Sequence, residues 1–223
     1  MDSDQAHSQP SPYAAHFGQQ TRHFYVALDR IQFKMETLVD LLGVAGRCRP
    51  GVPIVICCCS RDELDSVCTA VADLPYISLS CLVIPLMQFP FVVQHSDQSE
   101  KDRMVVLENF KQTTMAWNQS VNTQKEFESE CKNSETKSHL IVVTDACLPL
   151  VSCAESSMSS RVLINYELPL KKDMYMRRTS SCLAQDGTVI TMVVGGEVVT
   201  FKSLEESSGL VISEMPINVV EMF

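Results

Sequence analysis

The chain has 223 residues, 45% of them apolar and 20% charged, and a formal net charge of −9. That length allows one domain with a full core, and the composition is that of a globular protein rather than a disordered one. The acidic balance works against tight non-specific nucleic-acid binding, which depends on clustered Lys and Arg, and leaves room only for RNA contact through a local basic patch.

The ten cysteines contain no CxxC pair, so neither a zinc site nor a disulfide framework is expected. Free, buried thiols in a reducing compartment are the reading of choice. Residues 1–21 are rich in Gln, Ser and Pro and read as a disordered tail, without the basic and apolar regions of a secretory signal. No apolar run reaches the roughly 20 residues of a membrane span. The expectation is an intracellular protein, cytoplasmic with the nucleus as the alternative, without membrane or metal partners.

In chain order, "HFYVAL" (23–28) reads as a strand, and "FKMETLVDLLGVAG" (33–46) places Leu38, Leu41 and Leu42 at helical spacing. "PIVICCCS" (53–60) is a continuous apolar run, as expected of a strand buried on both faces. "RDELDSVCTAVADL" (61–74) is helical, with Leu64, Val67, Cys68 and Val71 on one side, and "YISLSCL" (76–82) is another strand. "SEKDRMVVLENF" (99–110) predicts a helix with Ser99 as its N-cap. "HLIVVTD" (139–145), "RVLINYEL" (161–168) and "GTVITMVV" (187–194) are three further buried-type strands, with a short helix or turn between the last two, and "EVVTFKSLEES" (197–207) is a final helix. This alternation predicts a doubly wound α/β domain over 22–223, built on a mainly parallel sheet covered on both faces. Two stretches interrupt it. "VIPLMQFPFVV" (83–93) is an apolar insertion with two prolines, and 113–138 reads as a long polar loop holding the only tryptophan, Trp117.

The element order and several strings resemble the C-terminal RecA-like lobe of the DEAD-box RNA helicases, most closely the translation-initiation subfamily. "IVICCCSRDELD" stands where the family has a strand ending in Asn-Thr-Arg, with Cys59, Ser60 and Arg61 at those positions. "VLINYELP" (162–169) is similar to a strand ending in Asn-Tyr-Asp-Leu-Pro, and "ISEMPINVVEMF" (212–223) resembles the end of that subfamily. The resemblance implies ATP-dependent RNA unwinding by two lobes. The first lobe's phosphate-binding loop and Asp-Glu-Ala-Asp motif do not occur in this sequence, and "DELD" (62–65) reads as acidic residues opening a helix.

The resemblance also assigns roles within the second lobe. RNA contacts correspond to Arg61, His95 and Arg103, but Glu100 puts an anion where the family has an amide, so Arg103 also reads as a helix-surface residue paired with Glu100 or Asp102. ATP sensing corresponds to Thr144 and Asp145, followed by Leu148, Pro149 and Leu150 where the family has alanine, arginine and glycine, and by Ser152 where it has a final aspartate. Leucine obstructs the close backbone approach that glycine permits, and proline cannot supply the cationic fork of arginine.

"YMRRTSSCLAQDG" (175–187) corresponds to the family's arginine-finger motif. Arg177 and Arg178 stand at its first two positions, as a phosphate clamp or an exposed basic pair. Ser180 and Ser181 replace a glycine and an arginine, and ungapped counting to the last arginine reaches Ala184. Loss of such an arginine costs on the order of a thousandfold or more in phosphoryl transfer. The expectation is therefore a pseudoenzyme: a non-catalytic lobe with no cofactor, binding protein partners such as translation-initiation or RNA-processing scaffolds, with weak or no RNA contact. A half-enzyme needing a first lobe in trans, and a truncated paralogue without activity, are the alternatives.

Overall fold

The computed structural model describes residues 21–79, 100–124, 137–148 and 157–222. Seven strands form one sheet: β1 (Arg22–Leu28), β2 (Pro53–Cys58), β3 (Ile77–Leu79), β4 (Ser138–Thr144), β5 (Ser160–Asn165), β6 (Leu183–Val194) and β7 (Ser213–Glu214). Their order across the sheet is β3-β4-β2-β5-β6-β1-β7, and every pairing is parallel. The connections carry α1 (Lys34–Cys48), α2 (Arg61–Val71), α3 (Glu100–Gln124), α4 (Lys172–Cys182) and α5 (Val198–Ser208).

β2 shows why this sheet needs helices on both sides. All six of its residues are buried, and successive side chains point to opposite faces. Ile54, Ile56 and Cys58 join a core that includes Leu38 and Leu42 of α1 and Leu64, Val67 and Val71 of α2. Val55 and Cys57 join a second core with Phe110 of α3, Tyr175 and Cys182 of α4, and Phe201 and Leu204 of α5. A strand lined on both sides has no polar alternation to offer, which explains its unbroken apolar sequence.

Local sequence explains the helix starts. Ser60 has extended backbone and its hydroxyl accepts from the Glu63 N–H, with Asp62 and Glu63 in the first turn of α2. The "DELD" segment thus opens a helix. At the other end of the chain, α5 stops at Gly209, whose φ of 68° is left-handed and suits glycine.

One expectation fails. The segment 113–138 is not a long loop, because α3 runs on to Gln124 and β4 begins at Ser138. The inward period of α3 continues past Phe110: Val106, Phe110 and Thr114 are buried, and Trp117 and Val121 are half-buried. Trp117 donates its indole N–H to the Pro50 carbonyl at 3.1 Å, and the Arg161 guanidinium sits 5.8 Å from its ring centroid. Arg161 Nε also donates to Asn118 Oδ1 at 2.9 Å and its Nη1 pairs with Asp186. These contacts clasp the second half of α3 to the edge of the sheet where its strands begin. The tail before Thr21, the insertion 83–93 and the rest of the polar stretch fall outside the described residues, apart from Lys137 and Ser138.

Candidate functional site

In an open parallel sheet, ligands bind outside the carboxyl ends of the strands. At that edge β2, β4 and β5 deliver Cys59, Asp145 and Asn165–Glu167, and α4 lays Arg177 and Arg178 across them. Thr144 ends β4, and a short 3-10 turn follows over Asp145–Cys147. The Thr144 hydroxyl reaches Cys147 Sγ at 3.5 Å.

Arg178 organises the group. Its side chain is 0% exposed, and it pairs with Asp145, which is 14% exposed. Nε donates to Asp145 Oδ1 at 2.8 Å and Nη2 to Oδ2 at 2.7 Å, a two-pronged fork. Nη1 donates to Asn165 Oδ1 at 3.0 Å and to the Glu167 carbonyl at 2.9 Å. Nη2 also donates to Cys59 Sγ at 3.2 Å. A guanidinium has five N–H donors, and these contacts occupy every one. Burial alone would favour loss of the charge, but the Asp145 hydrogen bond and the nearby negative groups outweigh it and raise the Arg178 pKa.

Arg177 takes a lesser part. Its side chain is 28% exposed, and Nη2 donates to the Asp145 carbonyl at 2.7 Å. Its Nε is buried without a hydrogen-bond partner among the described residues. The two arginines are therefore not an exposed basic pair, the correction the structure makes to that reading. Arg178 is locked inside the fold because Asp145 reaches it from the neighbouring strand end.

The polar chain extends across the sheet. Asn165 Nδ2 donates to Thr191 Oγ1 of β6 at 3.2 Å, and both residues are fully buried. Tyr175 of α4 also bonds Thr191, and burial pushes its phenol pKa up. Its hydroxyl lies 2.8 Å from Nδ1 of His23 on β1, and burial lowers the His23 pKa. Glu167 closes the near side: its Oε2 accepts from the Cys59 N–H at 2.6 Å and the Ser60 N–H at 3.0 Å. That carboxylate occupies the donors before α2, where an anion would otherwise be drawn. Burial raises the Cys59 thiol pKa against the opposing pull of Arg178, so Cys59 is held as a thiol rather than a nucleophilic thiolate.

The structure thus brings Thr144, Asp145, Arg177 and Arg178 together. Arg61 stands exposed at the start of α2, with Nε 3.9 Å from Asp65 Oδ2 one turn on. Arg103 stands on α3, half-buried, with Nε lacking a hydrogen-bond partner among the described residues. His95, Ser99, Pro149, Leu150 and Ser152 lie outside the described residues. Leu148 is buried in the second core, and Ser181 is buried with its carbonyl accepting from the Met158 N–H. Sequence reasoning missed Cys59, Asn165, Tyr175, Thr191 and His23 as members of this group. Asn165 and Thr191 were visible as polar residues inside otherwise apolar strands.

Among the described residues no cluster of three His, Cys, Asp or Glu side chains that could hold a metal forms. Seven cysteines among the described residues are free: Cys57, Cys58, Cys68, Cys147 and Cys182 are buried, Cys48 is half-buried and Cys59 is exposed. Free thiols were expected; the exposure of Cys59 departs from the expectation that all are buried, because it sits where β2 leaves the sheet. No described helix is long and apolar enough to cross a membrane.

No family model matches the chain. Eukaryotic initiation factor 4A from Cryptosporidium parvum is 22% identical over 203 residues, covering 90% of this chain and 39% of that protein. The chain spans about two fifths of the length of the curated relatives it matches, which include the ATP-dependent RNA helicase FAL1 of Yarrowia lipolytica. The E. coli DEAD-box protein SrmB, solved bound to the regulator of ribonuclease activity A, matches with a TM-score of 0.55 at 13% identity, covering 90% of this chain and 94% of that one. The S. cerevisiae Dbp5 C-terminal domain, solved bound to Gle1 and IP6, matches with a TM-score of 0.57 at 12% identity, covering 89% and 91%. In fold this chain is similar to DEAD-box C-terminal domains, and in sequence it is similar to initiation factor 4A and the FAL1 helicases.

Proposed function

We propose that the chain is a non-catalytic lobe that keeps the helicase fold and works by binding a protein partner, with RNA contact weak or absent. One observation carries this reading: uncharged Ser181 and Ala184 stand at the positions of the finger-type arginines, and the arginine that remains beside them, Arg178, has every donor spent inside the protein. An arginine that acts on a transferring phosphate must have donors free to follow the charge as it develops. Buried Ser181 and half-buried Ala184 stand where the family's remaining arginines are expected, and neither carries charge. The partner class is a scaffold of translation initiation or RNA processing in the cytoplasm. SrmB and the Dbp5 domain, each solved with a second protein bound, support a protein-docking use of this fold.

The test mixes the chain with an isolated first lobe of an initiation factor 4A and single-stranded RNA, then measures ATP turnover. Turnover at the level of the first lobe alone is expected. RNA-stimulated turnover above that level would overturn the proposal in favour of a half-enzyme acting in trans. That second reading has its own support, since the chain spans 39% of its relative and retains Thr144 and Asp145 side by side.

A further inference from the structure

We infer that the polar chain through the sheet is a one-way hydrogen-bond relay ending at His23, and that protonation of the His23 imidazole loosens the hold on Arg178 at its other end. This device does not rest on the protein-binding reading.

The direction of the relay is set at Arg178. A guanidinium only donates, so Nη1 at 3.0 Å fixes the Asn165 oxygen toward α4. The Asn165 amide nitrogen then faces Thr191 and donates to its hydroxyl oxygen at 3.2 Å. With its oxygen accepting, Thr191 turns its proton to the Tyr175 oxygen. Tyr175 in turn presents its own proton to His23 Nδ1 at 2.8 Å. Arg178, Asn165, Thr191 and Tyr175 are fully buried, so a member that loses its partner is left unsatisfied.

His23, half-buried on β1, is the one member of the relay whose charge changes near neutral pH. Neutral, its Nδ1 accepts. As imidazolium it donates from both nitrogens, and Nδ1 then meets the Tyr175 proton head-on. Tyr175 must turn that proton back toward Thr191, whose oxygen then faces two donors while its own proton has no acceptor in the relay. Turning over the Asn165 amide gives Thr191 an acceptor, but sets Nδ2 against Arg178 Nη1, donor against donor. The conflict therefore comes to rest at the Asn165–Arg178 contact, and α4 loses one of its ties to the strand ends.

No ion pair competes for the imidazole among the described residues. Around it, Arg22 of β1 holds Thr188 and the Met222 carbonyl, and Asp186 of β6 pairs with Arg161. Glu205 of α5 takes the Ile212 N–H, and Arg177 of α4 is held by the Asp145 carbonyl. Glu214 of β7, Lys202 and Glu206 of α5, and Lys171, Lys172 and Asp173 of α4 are exposed. Burial holds the His23 pKa below its ordinary 6.5, in the direction expected of a group whose charging disturbs its surroundings.

Magnetic resonance on the folded, isotope-labelled full chain tests the coupling. The His23 ring, the Asn165 side-chain amide and the Arg178 Nε–H are followed from about pH 7.5 to about pH 5. All three are expected to shift with one midpoint. His23→Gln keeps an acceptor beside Tyr175 but removes the titration, so the Asn165 and Arg178 signals should stand still. Tyr175→Phe cuts the relay, so His23 should titrate without Asn165 and Arg178 following. Should the phenylalanine chain not fold, Thr191→Val cuts the relay one member further on and carries the same expectation.

Asn165 and Arg178 signals that stay fixed while His23 titrates overturn the proposal. So does a His23 that stays neutral down to the acid limit of the fold. A shift that survives in His23→Gln belongs to another titrating group, and an equal shift in the cut relay is a charge acting through space; each overturns it as well.

Discussion

At the scale of single residues, Arg178 and Arg177 are neighbours in sequence with opposite fates. Removing one partner of a buried pair leaves the other charge uncompensated, so Arg178→Met should cost about 3–5 kcal/mol. Adding Asp145→Leu should return part of that loss, because a buried pair replaced by apolar groups is often near neutral. Arg177→Ala, at a partly exposed site with one strong bond, should cost about 1 kcal/mol. Urea unfolding of the three variants checks the order; equal losses at Arg177 and Arg178 would refute it. The arginine pair was legible in the sequence, and so was its neighbourhood with Thr144 and Asp145 through the family resemblance. Its role was not, because sequence gives no measure of how deep α4 lies against the strand ends. Asp145 two-pronged on Arg178 is a fact of packing across 33 residues of chain.

At the scale of elements, strands were easy to find and one helix was not. Runs such as 53–58 and 187–194 announce themselves by nearly continuous apolar and β-branched residues. The second half of α3 hid behind polar composition, since Thr113, Asn118, Gln119 and Asn122 look like loop residues. The signal was present in the spacing of Val106, Phe110, Thr114, Trp117 and Val121, which steps by three or four residues. Arg161→Ala removes the bond to Asn118 and the cation over Trp117, two of the contacts that clasp this half. Emission from Trp117, the only tryptophan, should then shift to the red with a loss of about 1 kcal/mol in stability. Unchanged emission would mean that the clasp does not hold the helix. A second element-level test lies at the start of β6, where the pairing with β5 shifts register between Ser160 and Val162. A Cβ on Gly187 would stand 2.5 Å from Leu183 Cγ, so Gly187→Ala should destabilise by about 1–3 kcal/mol. Leu183→Ala in the same chain should remove most of the added cost of the glycine change in a double-mutant cycle, the remainder coming from the Ala184 carbonyl 3.1 Å from the new Cβ.

At the scale of the whole molecule, stability should depend on pH through histidines in the sheet. Burial lowers the pKa of both His23 and His139 below 6.5. Between 6.5 and those lower folded values the unfolded chain binds more protons than the folded one. Stability is therefore fully present above 6.5 and is lost as pH falls through the folded values. The thermal midpoint should drop from about pH 7.5 to about pH 5.5, and His23→Gln with His139→Gln should flatten the slope. A midpoint that rises on acidification would contradict the assignment. The doubly wound sheet was legible except for β7, whose two exposed residues carry no apolar run, because the evidence for the sheet is distributed over the other six strands. The polar chain from Asp145 to His23 was not, because its members come from four strands and one helix and meet only after folding.

The position of β1 sets a timetable for synthesis. Its residues pair with β6 on one side, Arg22 opposite Thr188, and with the short β7 on the other. Neither neighbour exists until most of the chain has been translated. At about 5–20 residues per second, β1 waits roughly 8–30 s on the ribosome before its partner is complete. During that interval Phe24 and Val26 have no sheet to enter. Made before both its neighbours, β1 is among the last of the described strands to be placed, and a nascent chain interrupted before residue 183 releases it with both edges bare.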